Sequence, residues 1–149
     1  MNLKKLNILH ADDDTDDCIF FKEALEELRL PTSHKVVHDG EQLMQYLTNS
    51  RNELPHVLFL DLNMPRKNGS ECLSEIKFSK RLKQLTVIIF STAFEQEVVN
   101  LLYTNGAHYY IRKPSDFSQF KGLIQQAFIS LIAQDNISQP TKEKFVLTA

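Results

Sequence analysis

A single α/β domain in three layers, with a parallel β-sheet between two layers of helices, is the fold class that the sequence predicts. Five short apolar segments alternate with five segments whose apolar residues recur at helical spacing. The stretches "VLFL" and "VIIF" place no polar side chain on either face, which is typical of strands that are covered on both sides. A length of 149 residues suits one hydrophobic core.

Each predicted strand is a short run of aliphatic or aromatic residues. In chain order the strands are Leu6–Ala11, His34–Gly40, His56–Asp61, Thr86–Thr92 and His108–Pro114. The dipeptide Asp39-Gly40 indicates a turn after the second strand, whereas the other four strands run into charged or hydroxyl side chains.

The helices are predicted from apolar residues that recur three or four positions apart. They cover Thr15–Leu30, Glu41–Thr48, Ser70–Lys80, Glu95–Thr104 and a last segment that begins with Ser115 or Asp116 as its N-cap and carries Phe117, Phe120, Ile124, Phe128 and Leu131. Pro31 helps to end the first helix, and Asn105-Gly106 indicates the end of the fourth. Five strand–helix pairs make a (βα)5 unit, for which the flavodoxin-like sheet order 2-1-3-4-5 is a common arrangement.

Functional side chains are expected at one edge of this sheet, because ligand sites in open parallel sheets lie beyond the carboxyl ends of the strands. The residues that the sequence places there are Asp12, Asp13 and Asp14 after the first strand, Asp61 after the third, Ser91 and Thr92 at the end of the fourth, and Lys113 after the fifth. A buried, unpaired carboxylate is costly, so Asp61 must either reach water or meet a cation. Lys113 and a hard divalent ion shared by the acids can both supply one, and oxygen ligands of this kind suit Mg²⁺.

This set of groups predicts phosphoryl chemistry. A metal ion among carboxylates, beside an ammonium and a hydroxyl, forms an electrostatic clamp for a phosphoryl group. Asp61 is the candidate nucleophile, because a carboxylate oxygen can attack phosphorus and form an acyl phosphate. Lys113 would offset the phosphoryl charge, and the Ser91 hydroxyl can donate a hydrogen bond to one of its oxygens.

Four motifs together resemble the receiver domain of two-component response regulators, which has a CheY-like fold. These motifs are "ADDD" after the first strand, "FLDLNMP" at the third, "IIFSTA" at the fourth and "YYIRKP" at the fifth. One such motif alone is weak, but four in order at the ends of predicted strands form a specific signal. The resemblance covers about Leu6 to Ile132 and implies a receiver domain over residues 1–132, followed by a tail over residues 133–149.

The resemblance also implies a role for each site residue. Asp61 is the phosphoacceptor, Asp12 and Asp13 are the acidic pair that binds Mg²⁺ together with Asp61, Asn63 offers its backbone carbonyl to the metal, Ser91 is the switch hydroxyl, Lys113 pairs with the phosphate, and Tyr110 is the switch aromatic. Of the acidic pair, Asp13 is expected to bind the metal directly and Asp12 through water. The peptide bond between Lys113 and Pro114 is expected to be cis, an isomer that proline makes accessible.

The function that the resemblance implies is that of a single-domain response regulator. Asp61 would accept a phosphoryl group from a sensor histidine kinase or a phosphotransfer protein. The face formed by the fourth helix, fifth strand and fifth helix (α4–β5–α5) would then change its preference for an unknown downstream protein. Such a domain is not an enzyme, apart from its own phosphorylation and autodephosphorylation.

Two alternative functions share this site. One is a phosphorelay intermediate that passes the phosphoryl group on to a histidine phosphotransferase. The other, less favoured, is a Mg²⁺-dependent phosphatase, whose nucleophile would follow the first strand and have a second aspartate two residues later. Here the nucleophile follows the third strand, and position 63 is Asn.

Several neighbours of the site have simpler structural interpretations. Asp14, Asp16 and Asp17 favour a role at the positive end of the first helix, with metal contact by Asp14 as the weaker alternative. Strand alternation places only one of Ser91 and Thr92 toward the site, and the family spacing favours Ser91. Tyr109 is expected in the core, and the alternative for Tyr110 is a half-buried edge aromatic with no switching role.

Composition and charge exclude other classes. A net charge of −2 with no Lys/Arg cluster argues against nucleic-acid binding. No apolar stretch approaches the ~18 residues of a membrane span, and the N-terminus resembles no signal peptide. Cys18 and Cys72 are therefore expected to be reduced thiols in a cytoplasmic protein.

The segment after Ile132 is polar and too short for an output domain, so we expect a flexible tail. Its "KFVLTA" stretch favours β structure and could dock on a partner or a second copy, and the α4–β5–α5 face is the other candidate surface for a homodimer. The extended loop "TNSRNELP" resembles that of small receivers associated with phytochrome-type kinases.

Overall fold

A computed structural model describes residues 5–132 and 139–148 of the chain. Within these residues the strands are β1 Leu6–Ala11, β2 Thr32–Val37, β3 Val57–Leu60, β4 Thr86–Ser91, β5 Tyr109–Arg112 and β6 Val146–Leu147. The helices are α1 Thr15–Leu28, α2 Gly40–Thr48, α3 Gly69–Phe78, α4 Gln96–Thr104 and α5 Phe117–Ile132. The alternation of strand and helix predicted from the sequence is thus confirmed.

The strands form one parallel sheet in the order β2-β1-β3-β4-β5-β6. The flavodoxin-like order 2-1-3-4-5 is confirmed, and the strand count is corrected from five to six. Because all the strands run in the same direction, the carboxyl ends of β1, β3, β4 and β5 lie at the same end of the sheet.

The sixth strand comes from the segment predicted to be a flexible tail, of which residues 133–138 and 149 lie outside the described part of the chain. Val146 pairs with Tyr110 and Leu147 pairs with Ile111, and the Tyr110 N–H donates to the Phe145 carbonyl at 3.0 Å. Phe145 is 1% exposed. Residues 145–147 of the "KFVLTA" stretch therefore dock on the chain's own sheet, because Phe145 gains apolar burial and the polar edge of β5 gains a hydrogen-bonding strand.

The sheet separates two apolar layers. Residues on one face of each strand, such as Leu58 and Leu60, pack with α2, α3 and α4, whereas the alternate residues Val57 and Phe59 pack with α1 and α5. The second layer is rich in aromatic rings, with Phe59 and Phe90 in edge-to-face contact at 6.4 Å. Both faces of the sheet are covered, as the uninterrupted apolar strands indicated.

Helix caps account for several polar residues near the sheet edge. Asp14 accepts a hydrogen bond from the Asp17 N–H, Asp39 from Gln42, and Asp116 from Gln119. The first helix ends at Leu28, because Arg29 adopts a left-handed conformation with φ 53°. None of the helices in the described ranges is both long and apolar enough to cross a membrane.

Candidate functional site

Backbone hydrogen bonds that continue the sheet beyond its strands position the candidate residues. The Asp12 N–H donates to the Val37 carbonyl at 3.0 Å, and the Asp61 N–H donates to Ala11 at 2.9 Å. The Lys113 N–H donates to the Ser91 carbonyl at 2.8 Å. The backbone hydrogen bonds of the sheet therefore fix the positions of Asp12, Asp61 and Lys113.

Three carboxylates meet at this edge, as the sequence predicted. One oxygen from each of Asp12, Asp13 and Asp61 lies within 4.8 Å of the others. Asp12 and Asp61 are buried, whereas Asp13 is exposed. A cluster of oxygen ligands, closed on one side by the sheet and open to solvent at Asp13, fits a hard divalent cation that retains several waters.

Lys113 is the cation that the structure places among these acids. Its Nζ lies 2.7 Å from Asp12 Oδ2, 2.8 Å from Asp17 Oδ2 and 3.7 Å from Asp61 Oδ2. The Lys113 side chain is 4% exposed, and its ammonium also lies 5.2 Å from the centre of the Phe90 ring. Water is thus largely excluded from the ammonium, which strengthens its charge-assisted hydrogen bonds.

The two buried acids have opposite electrostatic behaviour. Burial raises the pKa of Asp12, but the contacts with His10 and Lys113 outweigh burial and hold that pKa well below its usual value. Burial raises the pKa of Asp61 above its usual value, and the negative charge of Asp12 raises it further. Lys113 lowers this pKa, but its Nζ lies 3.7 Å away and does not outweigh burial. Divergent pKa values in two adjacent carboxyl groups are typical of functional sites.

His10 lies beneath the site, a position that the sequence analysis did not single out. Its Nε2 is 3.4 Å from Asp12 Oδ2, and its ring packs 4.4 Å from Phe21. Burial lowers the pKa of His10, so the ring is neutral near pH 7. Only the alternation of β1 could have indicated this inward position, because a histidine within a strand is otherwise unremarkable in sequence.

Strand alternation separates the two hydroxyl residues of β4. Ser91 is fully buried and its Oγ accepts a hydrogen bond from the Ala93 N–H at 3.2 Å, whereas Thr92 is exposed. This burial agrees with the choice of Ser91 over Thr92.

The aromatic pair of β5 divides between the two faces of the sheet. Tyr109 packs with α1 and α5, and Tyr110 packs on the opposite face, 1% exposed, with its hydroxyl donating to the Ala93 carbonyl. Phe94 and Phe145 contact the Tyr110 ring at 5.7 and 6.5 Å between centroids. Tyr110 is therefore fully buried and not half-buried at a sheet edge, because β6 covers this position. Its role as a switch residue stays a prediction.

The loop after β3 packs tightly against Asp61. Gly69 begins α3 so close to the strand that a Cβ atom there would lie 2.3 Å from the Asp61 carbonyl oxygen. The Asn63 N–H lies 3.4 Å from Asp61 Oδ1 and donates to it, and the Asn63 side chain is exposed. Gly69 is thus a requirement of the site that the sequence analysis missed.

Two expectations near Lys113 need correction. The Lys113–Pro114 peptide bond is trans and not cis. The trans isomer is intrinsically favoured even before proline, and with this isomer Lys113 Nζ donates a hydrogen bond to Asp12. Asp17 was interpreted as a residue of the helix start only, but it is also a direct partner of Lys113. Asp14 has the predicted role as N-cap of α1.

Comparison with known proteins agrees with this geometry. The response regulator receiver domain matches residues 8–125, which include all four sequence motifs. The chain belongs to the response regulator receiver family. Receiver domains are signalling domains that interact with histidine kinases or phosphotransfer proteins, so the resemblance noted in the sequence is confirmed at the level of the family.

Two relatives cover most of the chain. The probable methanogenesis regulatory protein FilR2 of Methanothrix harundinacea is 28% identical over 122 residues, which is 80% of this chain and 79% of FilR2. Response regulator Rcp1 of Synechocystis sp. is 26% identical over 122 residues, 79% of this chain and 83% of Rcp1.

Solved structures share the fold over nearly the full length. The phosphorylated cyanobacterial phytochrome response regulator RcpA is 27% identical with a TM-score of 0.79, over 93% of this chain and 100% of RcpA. The Mn²⁺-bound form of response regulator Rcp1 has a TM-score of 0.78 at 24% identity, over 91% of this chain and 99% of that one. The similarity to single-domain, phytochrome-associated regulators agrees with the interpretation of the "TNSRNELP" loop.

Proposed function

We propose that this receiver accepts a phosphoryl group on Asp61 and thereby changes its affinity for a partner protein. The observation that carries the proposal is the convergence of Asp12, Asp13 and Asp61 with Lys113 at one sheet edge. Three carboxylates beside a single nearly dry ammonium leave excess negative charge, which can bind a divalent cation. The bound cation and Lys113 together can then hold the negatively charged phosphoryl group.

The donor set fits Mg²⁺. Asp12, Asp13, Asp61 and the Asn63 carbonyl would hold the ion, which supplies Lewis-acid stabilisation of the phosphoryl oxygens when bound. The Mn²⁺-bound form of Rcp1 supports a divalent-cation site by similarity, and the phosphorylated form of RcpA supports phosphorylation. The exposure of Asp13 leaves an open side through which a donor can approach.

The chain's own residues perform the transfer in one displacement. An Asp61 carboxylate oxygen forms a bond to phosphorus while the P–N bond of a donor phosphohistidine breaks, and the leaving imidazole keeps the electron pair and takes up a proton. Lys113 offsets the charge on the transferred oxygens, and Ser91 donates its hydroxyl to one of them. A kinase or a phosphotransfer protein can be the donor, since both present phosphohistidine.

The output surface lies around β5. Ser91 and Tyr110 are joined through Ala93, whose N–H donates to Ser91 and whose carbonyl accepts from Tyr110. A movement of Ser91 toward a phosphoryl group would therefore shift Ala93 and change the hydrogen bond of the Tyr110 hydroxyl. Because β6 lies along β5, the proposed α4–β5–α5 face includes this sixth strand, and a downstream protein or a second copy would contact it there.

Labelling with a small phosphodonor tests the proposal. Incubation with acetyl phosphate and Mg²⁺ should add one phosphoryl group, which mass spectrometry of peptides should locate at Asp61. The Asp61→Asn variant should lose the label, and Asp16→Asn, an exposed acid of α1, should retain it. Equal labelling of Asp61→Asn and the parent would contradict the proposal, as would sustained multiple turnover, which would indicate a phosphatase.

A further inference from the structure

The Lys113 ammonium is shared with a carboxylate that does not belong to the strand-end cluster. Asp17 lies in the first turn of α1, and its Oδ2 is 2.8 Å from Lys113 Nζ. This distance matches the 2.7 Å to Asp12 and is much shorter than the 3.7 Å to Asp61. The ammonium therefore hydrogen-bonds Asp12 and Asp17, whereas Asp61 lies beyond hydrogen-bonding distance.

The contact between Asp17 and Lys113 is positioned and sheltered. The Asp17 N–H donates to the N-cap side chain of Asp14 at 3.1 Å, which fixes the first turn of α1. The side chains of Lys113 and Asp17 are 4% and 22% exposed. Little water competes for the ammonium, so this is a charge-assisted hydrogen bond and not a solvated surface pair.

Asp17 and a phosphoryl group on Asp61 would compete for the same Lys113 ammonium. Asp17 holds Lys113 from α1, whereas Asp61 lies at the end of β3, and Nζ must approach Asp61 to contact a phosphoryl group there. Closing the 3.7 Å gap stretches the contact on the α1 side. A phosphoryl group carries more charge and more acceptor oxygens than a carboxylate, so it can draw the ammonium from Asp17.

We propose that Asp17 is a positioning residue that restrains Lys113 on the α1 side until a phosphoryl group on Asp61 competes for it. This inference rests on the proposed phosphorylation of Asp61. Asp17 thereby raises the barrier to phosphoryl uptake, because part of its hydrogen bond to Lys113 is lost in the transition state. Its negative charge also repels the incoming phosphate.

The test compares two neighbouring acids of α1. Asp17→Asn keeps the size of the side chain, leaves a weaker neutral acceptor and should speed phosphoryl uptake from acetyl phosphate and Mg²⁺ by about three- to tenfold. Asp16→Asn makes the same change in charge one residue away on an exposed side chain and should match the parent. Asp17→Glu keeps the charge and should return uptake toward the parental rate.

A second measurement reports on Lys113 without phosphorylation. Mass spectrometry can follow the rate at which acetic anhydride acylates Lys113 in the unphosphorylated protein. Release from Asp17 should make Lys113 more reactive in Asp17→Asn but not in Asp16→Asn. Acetylation of an exposed lysine such as Lys80 gives the internal standard for each variant.

The outcomes separate this inference from the proposed function. A parent that takes up no phosphate would overturn the proposed function, and unchanged Lys113 reactivity in Asp17→Asn would then overturn the restraint as well. A parent that is labelled at Asp61, with Asp17→Asn labelled no faster, would overturn the restraint alone. Equal acceleration by Asp16→Asn would show a general effect of charge and would also overturn it.

Discussion

At the scale of single residues, the site depends on which side of a strand each side chain occupies. Asp12, Asp61 and Lys113 could be predicted, because a charged residue directly after an apolar strand must lie at the sheet edge. The partnership of Asp17 with Lys113 could not, since it depends on how α1 packs across the end of β5. Gly69 was missed for a similar reason, because its close approach to Asp61 is a tertiary contact.

The residue two positions after Ser91 should control how long the phosphoryl group lasts. Ala93 uses only its backbone here, donating to Ser91 and accepting from Tyr110, and its methyl group cannot orient an attacking water. Ala93→Glu adds a carboxylate that can, so loss of label from phosphorylated protein should become faster on the order of tenfold. Thr92→Glu adds the same charge at an exposed neighbour and should change the lifetime little. An unchanged lifetime in Ala93→Glu would contradict this role.

A histidine of β2 should make the fold sensitive to acid. Burial lowers the pKa of His34 to about 4, with further contributions from His10 and Lys22, and the His34 Nε2 has no hydrogen-bond partner within the described part of the chain. Between the ordinary value of ~6.5 and 4, the unfolded state binds more protons than the folded state. The free energy of unfolding should therefore fall as pH falls through this window.

Replacing His34 tests this sign directly. His34→Phe keeps an aromatic ring against Phe21, which lies 5.0 Å away between centroids, and removes the titrating group. Urea denaturation at pH 7 and pH 5 should show a smaller loss of stability for the variant than for the parent, with similar slopes above pH 7. An identical loss in both proteins would assign the acid sensitivity to other groups.

At the scale of elements, the helices and the first five strands follow from periodicity, whereas the sixth strand does not. A strand of two residues, Val146–Leu147, is too short for any alternation to be recognised, and the polar segment before it favours disorder on composition. What places it is Phe145, which packs 5.1 Å from Tyr103 and also contacts Tyr110. The position of β6 is thus determined by the tertiary contacts of Phe145, which the local sequence does not reveal.

Removing the Phe145 ring should loosen β6 and, with it, the environment of Tyr110. Phe145→Ala leaves a cavity between α4 and β5 and should lower the free energy of unfolding by about 3 kcal/mol. Ile129→Ala removes a side chain that is 61% exposed on α5 and should cost much less. Chemical denaturation gives both values, and hydrogen exchange at the Tyr110 amide, which donates to Phe145, should accelerate only in Phe145→Ala. Protection that persists in this variant would show that β6 docks without its aromatic anchor.

At the scale of the whole molecule, the fold gathers more negative charge at one edge than its own cations balance. Asp12, Asp17 and Asp61 lie around the Lys113 ammonium, and Asp13 lies beside Asp12 and Asp61. Burial together with the Asp12 charge raises the pKa of Asp61. The excess weakens the folded state relative to the unfolded chain, in which the acids separate. A ligand cation that binds only the folded state should recover this stability.

Magnesium should therefore raise the melting temperature through its binding to the site. At ten times the dissociation constant the gain is about 1.4 kcal/mol, which corresponds to roughly 3–6 °C for a chain of this size. Thermal denaturation followed by circular dichroism, with ionic strength held constant, should show this shift in the parent and in Asp16→Asn. Asp13→Asn, which removes the exposed member of the triad, should lose most of it. The same shift in Asp13→Asn would mean that Mg²⁺ stabilises the chain elsewhere, because removing one of the carboxylates around the ion must weaken a site built from them.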